Sequence, residues 1–145
     1  MALSFHVYPG LGETNSNVFN YSQSVRMGST IRTAGQGGFT DKGELVEPMR
    51  EQLVQACKNV EKALKDAGGQ GWSQVVSVRS YHIDLDASFE CMVEMFKEFM
   101  PNHRPVWVAV GVAKLGEGMH VEIEAEAFDD HSAWSGVNGA NGVKN

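Results

Sequence analysis

The residues of this chain best suited to chemistry are three carboxylates at a two-residue spacing, Glu122, Glu124 and Glu126, in the stretch VEIEAEA. Side chains alternate faces along an extended strand, so the glutamates share one face while Val121, Ile123, Ala125 and Ala127 share the other. Such a row is ordinarily solvated. A carboxylate held beside apolar surface behaves differently, because desolvation raises its pKa and makes it usable as a proton donor or acceptor. The apolar partner on offer is Trp107, in RPVWVAVGVA. In that strand Val106, Val108, Val110 and Val112 form one face, expected to pack on helices, and Trp107, Ala109, Gly111 and Ala113 form the other. A hairpin between the two strands would gather the indole, the small residues and the glutamates on one face, with Arg32 and Arg79 neutralising part of the row. An indole is out of place on an open wet surface, so this face is expected to meet a subunit or a ligand.

Other chemistry is poorly supplied. His82 lies inside a predicted strand, where a hydrogen-bonded core imidazole is the ordinary role. His103, His120 and His131 fall at loop or strand ends, without the ligand spacing of a metal site. No serine sits in a GxSxG elbow. Gly35-Gln36-Gly37-Gly38 has the glycine content of a phosphate loop without its Lys-Ser/Thr, and a tight turn or close backbone approach accounts for it. Cys57 and Cys91 sit within helical patterns without CxxC spacing and read as reduced core thiols. No metal and no organic cofactor is expected.

Periodicity gives the elements that must position these groups. At 145 residues the chain fits one domain with its own core. Apolar residues at three-and-four spacing from Met49 to Ala67 predict an amphipathic helix, with Pro48 in its first turn and Gly68-Gly69 at its end. Phe89, Met92, Val93, Phe96 and Met100 predict a second, stopped by Pro101 and capped by Asp86 or Ser88. YSQSVRMGSTIRTAGQGG predicts two short strands about a turn at Met27-Gly28-Ser29, and VVSVRSYHI, PVWVAVGVA and HVEIEAEAF predict three more. The start, through GETNSN, reads as irregular. Residues 129–145, rich in Gly, Asn and Ser, read as a flexible extension with Trp134 as its one potential anchor. The sum is an α+β domain over residues 1–128 with helices on one face of a mixed sheet. The net charge of −6 and the interleaving of Lys58, Lys62 and Lys65 with Glu51, Glu61 and Asp66 argue against nucleic acid as a partner. No apolar run approaches a membrane span and no secretory signal is visible, which points to the cytosol.

The ordered set YSQ, TAGQ, the helix QLVQACKNVEKALKDAG, VVSVRSYHIDLDASF, a Pro-led strand ending in KL, and VEIEAEA resembles the YjgF/Rid (reactive-intermediate deaminase) family, also called the L-PSP endoribonuclease family. The resemblance covers about residues 18–128. It implies a chorismate-mutase-like mixed sheet with two helices packed on one face, assembled as a homotrimer with small-molecule clefts at the subunit interfaces. It also implies hydrolysis of enamines and 2-imino acids to 2-keto acids and ammonia. In that family an arginine two residues after the proline of the fourth strand clamps the substrate carboxylate, and a glutamate of the EIE motif positions water. Carried onto this chain, the proline is Pro105, the glutamate is Glu122, the early tyrosine is Tyr21 and the turn before the first long helix is Gly35-Gln36. The clamp position is Trp107, followed in the same substrate-contacting stretch by Val108.

This departure bears on function. An indole offers one N–H and no charge, so it cannot form the bidentate clamp. Loss of a charge-assisted pair in a partly buried cleft costs on the order of 2–5 kcal/mol of binding, or roughly tens to thousands of fold for a 2-imino acid. The resemblance and the departure together predict a cofactor-independent hydrolase or tautomerase acting, through Glu122, on an imine, enamine or enolisable carbonyl other than a simple 2-imino acid. Two alternatives stand beside it: an ordinary 2-imino acid deaminase in which Arg104 or Arg79 reaches the substrate, and a non-catalytic ligand-binding or chaperone-like trimer.

Overall fold

Alternating and helical patterns along the chain resolve into one six-stranded sheet backed by long helices. The structure, a computed structural model, describes residues 2–130; the expectations for His131 and Trp134 lie outside the described residues. In chain order the elements are β1 (Leu3–His6), α1 (Leu11–Phe19), β2 (Ser24–Met27), β3 (Thr30–Thr33), α2 (Met49–Asp66), β4 (Val75–His82), α3 (Leu85–Phe99), β5 (Val106–Gly111) and β6 (Val121–Phe128). The strands lie in the order β1-β2-β3-β6-β4-β5. All neighbouring pairs are antiparallel except β4 and β5, which run parallel because α3 carries the chain back between them.

The helices α2 and α3 cover one face of the sheet. Leu53, the pair Ala56 and Cys57, Val60 and Leu64 recur at three- and four-residue spacing, so they line one side of α2 and pack on Ile31, Val75, Val78, Ile123 and Ala125. Each large aliphatic side chain removed from water here contributes roughly 1.5–3 kcal/mol. Trp72 is buried at the end of the same cluster, its indole N–H donating to the Cys57 carbonyl at 2.8 Å.

Three sequence expectations are corrected. The start is not irregular: β1 pairs with β2, and GETNSN falls within α1, whose only buried residue is Gly12. A helix that buries almost nothing carries no apolar stripe, which is why periodicity missed it. The N-cap of α3 is Asp84, whose carboxylate accepts from the Ala87 N–H at 3.1 Å, rather than Asp86 or Ser88. The Ser88 hydroxyl is engaged by the Asp84 carbonyl and His82 instead.

The third correction concerns Trp107. Strand β5 does not form a hairpin with β6; it lies at the sheet edge beside β4, and β6 sits between β3 and β4. In this register Val78 opposes both Trp107 and Ala125, so the indole faces the helices. Arg79 opposes Val108 and Glu124, so Val106, Val108 and Val110 share the open face with the glutamates and are 69%, 55% and 37% exposed. The physical reason is size. Where β5 meets α3, the indole fills the gap, stacked on Phe89 with ring centres 5.0 Å apart and meeting the edge of Phe96 at 4.7 Å. On the open face, Arg32 bridges Glu126 at 3.3 Å.

Candidate active site

Strand β6 turns Glu122 out of the core side, and the loop after β3 closes over it. That loop is pinned by a two-way backbone pair: Gln36 N–H to the Ile123 carbonyl at 2.7 Å and Ile123 N–H to the Gln36 carbonyl at 2.9 Å. The approach is close enough that a Cβ on Gly35 would lie 2.4 Å from the Glu122 carboxylate. Gly38 is equally constrained, since a Cβ there would lie 2.1 Å from the Gln52 carbonyl oxygen. The glycine run is thus a close-approach segment that lays backbone against β6 and α2.

Between this loop, α1 and the start of β6 lies a cavity of about 330 Å³, bordered among others by Tyr8, Asn15, Tyr21, Gln23, Gln36 and Glu122. Among the described residues no group hydrogen-bonds the Glu122 carboxylate, and none of the cavity's lining residues is Lys or Arg. Burial raises the Glu122 pKa above the usual carboxylate range, and the neighbouring Glu124 adds to the effect. Burial likewise pushes the Tyr8 phenol up, so it stays an O–H donor, and it donates to the Gln36 side-chain carbonyl at 2.9 Å. The Tyr21 oxygen accepts from the Asn15 amide at 3.2 Å and from the Gln23 amide at 3.4 Å. Such an arrangement supports proton transfer to and from a small neutral or cationic ligand with hydrogen-bonding edges.

Of the residues singled out from sequence, Tyr21, Gly35, Gln36 and Glu122 line this one cavity. Trp107 does not; it lies on the opposite side of the sheet, its N–H donating to Ser80 Oγ at 2.9 Å. Val108 lies on the same face as Glu122 but two strands away, on the edge strand. Arg104 borders a separate apolar recess on the helix side, with Phe96, Met100 and Trp107. Tyr8 and Asn15 were missed, because single polar residues in a segment read as irregular leave no pattern; Gln23 was quoted only as part of the YSQ stretch, with no role given to it. Among the described residues no group of three or more His, Cys, Asp or Glu is placed to hold a metal ion, and no described helix is long and apolar enough to cross a membrane.

Comparison with known proteins gives a consistent result. The sequence matches the family described as Endoribonuclease L-PSP over residues 14–128. It is 36% identical over 107 residues to a 2-iminobutanoate/2-iminopropanoate deaminase of Dermatophagoides farinae, covering 72% of this chain and 82% of the relative. A RutC family protein of Pyrococcus horikoshii is 33% identical over 112 residues, covering 76% of this chain and 87% of the relative. Among solved structures, RidA from an Antarctic Psychrobacter superposes with a TM-score of 0.72 at 34% identity, covering 77% of this chain and 89% of that one.

Proposed function

The chain belongs to the YjgF/Rid family, and from that premise we propose that it hydrolyses an imine or enamine in the Glu122 cavity, and that the substrate is one other than a simple 2-imino acid. The observation that carries the reading is an unpartnered, half-buried carboxylate opening into a cavity with no cation in its lining. In the reaction, water adds to the imine carbon as Glu122 accepts one of its protons. The nitrogen is protonated, and collapse of the resulting carbinolamine forms the C=O bond and expels the nitrogen as ammonia or amine. The raised pKa makes the Glu122 carboxylate a better proton acceptor than an ordinary exposed one, and the proton it takes is the one it returns. Similarity to a 2-iminobutanoate/2-iminopropanoate deaminase supports the reaction class. The position expected to clamp a substrate carboxylate holds Trp107, turned against α3, and this supports a substrate whose recognition does not depend on a carboxylate.

The same proposal includes a homotrimer with the cavities completed at the subunit contacts. Two exposed apolar edges support it: Leu3 and Phe5 on β1, 62% and 64% exposed, and Val106, Val108 and Val110 on β5 at the other edge. Edge strands that end in apolar rows are ordinarily covered, and two different edges that meet head to tail form a ring when the rotation between subunits is one third of a turn.

The test is release of ammonia from freshly generated 2-iminobutanoate and from imines lacking a carboxylate, with wild type and Glu122→Gln compared against buffer. Preference for the uncharged imines, abolished by Glu122→Gln, is the expected result. Full activity in Glu122→Gln would instead favour a ligand-binding role without catalysis.

A further inference from the structure

The hydrogen bonds behind Tyr21 form a chain with a definite direction. Tyr8 donates to Gln36 Oε1 at 2.9 Å, Gln36 Nε2 donates to Gln23 Oε1 at 2.7 Å, and Gln23 Nε2 donates to the Tyr21 oxygen at 3.4 Å. Two amides in series have two self-consistent orientations, and flipping both would reverse every donor and acceptor. One bond selects between them. Gln36 Nε2 also reaches the backbone carbonyl of Ala34 at 3.3 Å, and a carbonyl oxygen only accepts. With Gln36 fixed, Gln23 must turn its oxygen to Gln36 and its NH2 to Tyr21. Gln36 and Gln23 are each 2% exposed, so water does not compete for these bonds.

The consequence falls on Tyr21. Its oxygen accepts from the Gln23 amide, whose direction the chain fixes, and from the Asn15 amide in the orientation the structure gives it, so in this arrangement both lone pairs are occupied and its one hydrogen is left to point elsewhere. Tyr21 borders the cavity that holds Glu122. We infer that Gln36 and Gln23 are positioning residues that fix Tyr21 as an obligate hydrogen-bond donor to the ligand, so that the cavity selects molecules presenting an acceptor, such as an imine nitrogen or a carbonyl oxygen, opposite the Glu122 carboxylate. This rests on the hydrolytic reading only for its kinetic consequence; the direction of the chain stands on the hydrogen bonds alone.

The discriminating variant is Gln23→Glu. A carboxylate of nearly the same shape still accepts from Gln36 but has no N–H for Tyr21, and instead attracts the Tyr21 hydrogen away from the cavity. With the most active imine, kcat falls about tenfold or more, as expected for one lost donor to a developing charge, while Tyr21→Phe gives a similar loss. In a Tyr21→Phe background, Gln23→Glu adds less than about twofold, because Gln23 acts through Tyr21. A loss that adds in full in that background overturns the inference. The direction is read separately, in wild type and without turnover, from side-chain amide NMR. Slowly exchanging Gln36 NH2 protons close to Gln23 and Ala34 uphold it, and NH2 protons placed against Tyr8 sink it. If wild type turns over no imine, the hydrolytic proposal fails while the NMR result still decides the chain's direction.

Discussion

Substituting Gly35 by alanine tests whether the placement of Glu122 is what matters. Gly35 is not among the residues with positive φ, so its backbone accepts an alanine. The obstacle is the new methyl group, 2.4 Å from the near carboxylate oxygen of Glu122 and 2.7 Å from its Cδ. Ordinary contact begins near 3.4 Å, so the carboxylate must retreat by about 1 Å. Because the obstacle is the end of a flexible side chain, the retreat costs only about 0.5–1.5 kcal/mol of rotamer strain, offset by the roughly 0.4–1 kcal/mol that Gly→Ala gains by restricting the unfolded chain. Stability is expected to change little, while a 1 Å misplacement of the proton-transfer group lowers kcat on the order of 100-fold. The assay is imine hydrolysis by ammonia release, paired with thermal unfolding of both proteins. Unchanged kcat in a folded Gly35→Ala protein would refute the role given to Glu122, and a large fall in Tm would show the loop to be structural in a way the contacts do not explain.

Three further outcomes are expected. Burial raises the Glu122 pKa in the folded state, so between the unfolded and folded values the native protein holds more protons than the unfolded one and stability falls as pH rises; Glu122→Gln should therefore raise Tm at pH 7 while changing it little at pH 4, which calorimetry at the two pH values checks. Trp107→Arg places a guanidinium between Phe89 and Phe96, and chemical denaturation should show a loss of about 2–3 kcal/mol with no gain of activity towards 2-iminobutanoate; a gain would show that the side chain reaches a substrate. Val108→Asp puts a charge in the exposed apolar row of β5, and sedimentation should show the assembly shifted towards monomer, whereas an unchanged mass would exclude that row from the contact.

What the sequence made legible follows from how each signal arises. The two long helices were readable because they bury a continuous apolar stripe, and the turn at Gly28 because it is flanked by two β-rich runs; both depend only on local order. The membership of Glu122, Tyr21, Gly35 and Gln36 in one cavity was legible only through the resemblance, since these residues are up to about a hundred positions apart in sequence and meet through the backbone pair between Gln36 and Ile123. The face of Trp107 was misread for a physical reason. Alternation fixes which residues share a face but not which face is the core, and four valines outweighed one indole in composition. Strand pairing settles that choice, and a parallel β4–β5 neighbour is not visible in either strand alone.

Trp107 is embedded in a buried network, and that embedding says what the residue is for. The Ser88 hydroxyl donates to the Asp84 carbonyl at 2.8 Å, so its oxygen accepts from His82 Nδ1–H at 2.7 Å. The other ring nitrogen, His82 Nε2, then accepts from the Ser80 hydroxyl at 2.7 Å, and Ser80 accepts from the Trp107 N–H at 2.9 Å. Each group is satisfied only if His82 is neutral, in agreement with burial lowering its pKa. An indole brings the single donor this chain can accept, whereas a guanidinium brings five to a place with one acceptor. Trp107 therefore locks β4, β5 and α3 together. The linkage gives a measurable sign: because the folded imidazole ionises below its unfolded value, stability is full above that value and is lost as pH falls through the folded pKa. A His82→Asn variant, unable to take up that proton, should lose this acid-side decline, and a decline of the same size in the variant would place its origin outside the Trp107 network.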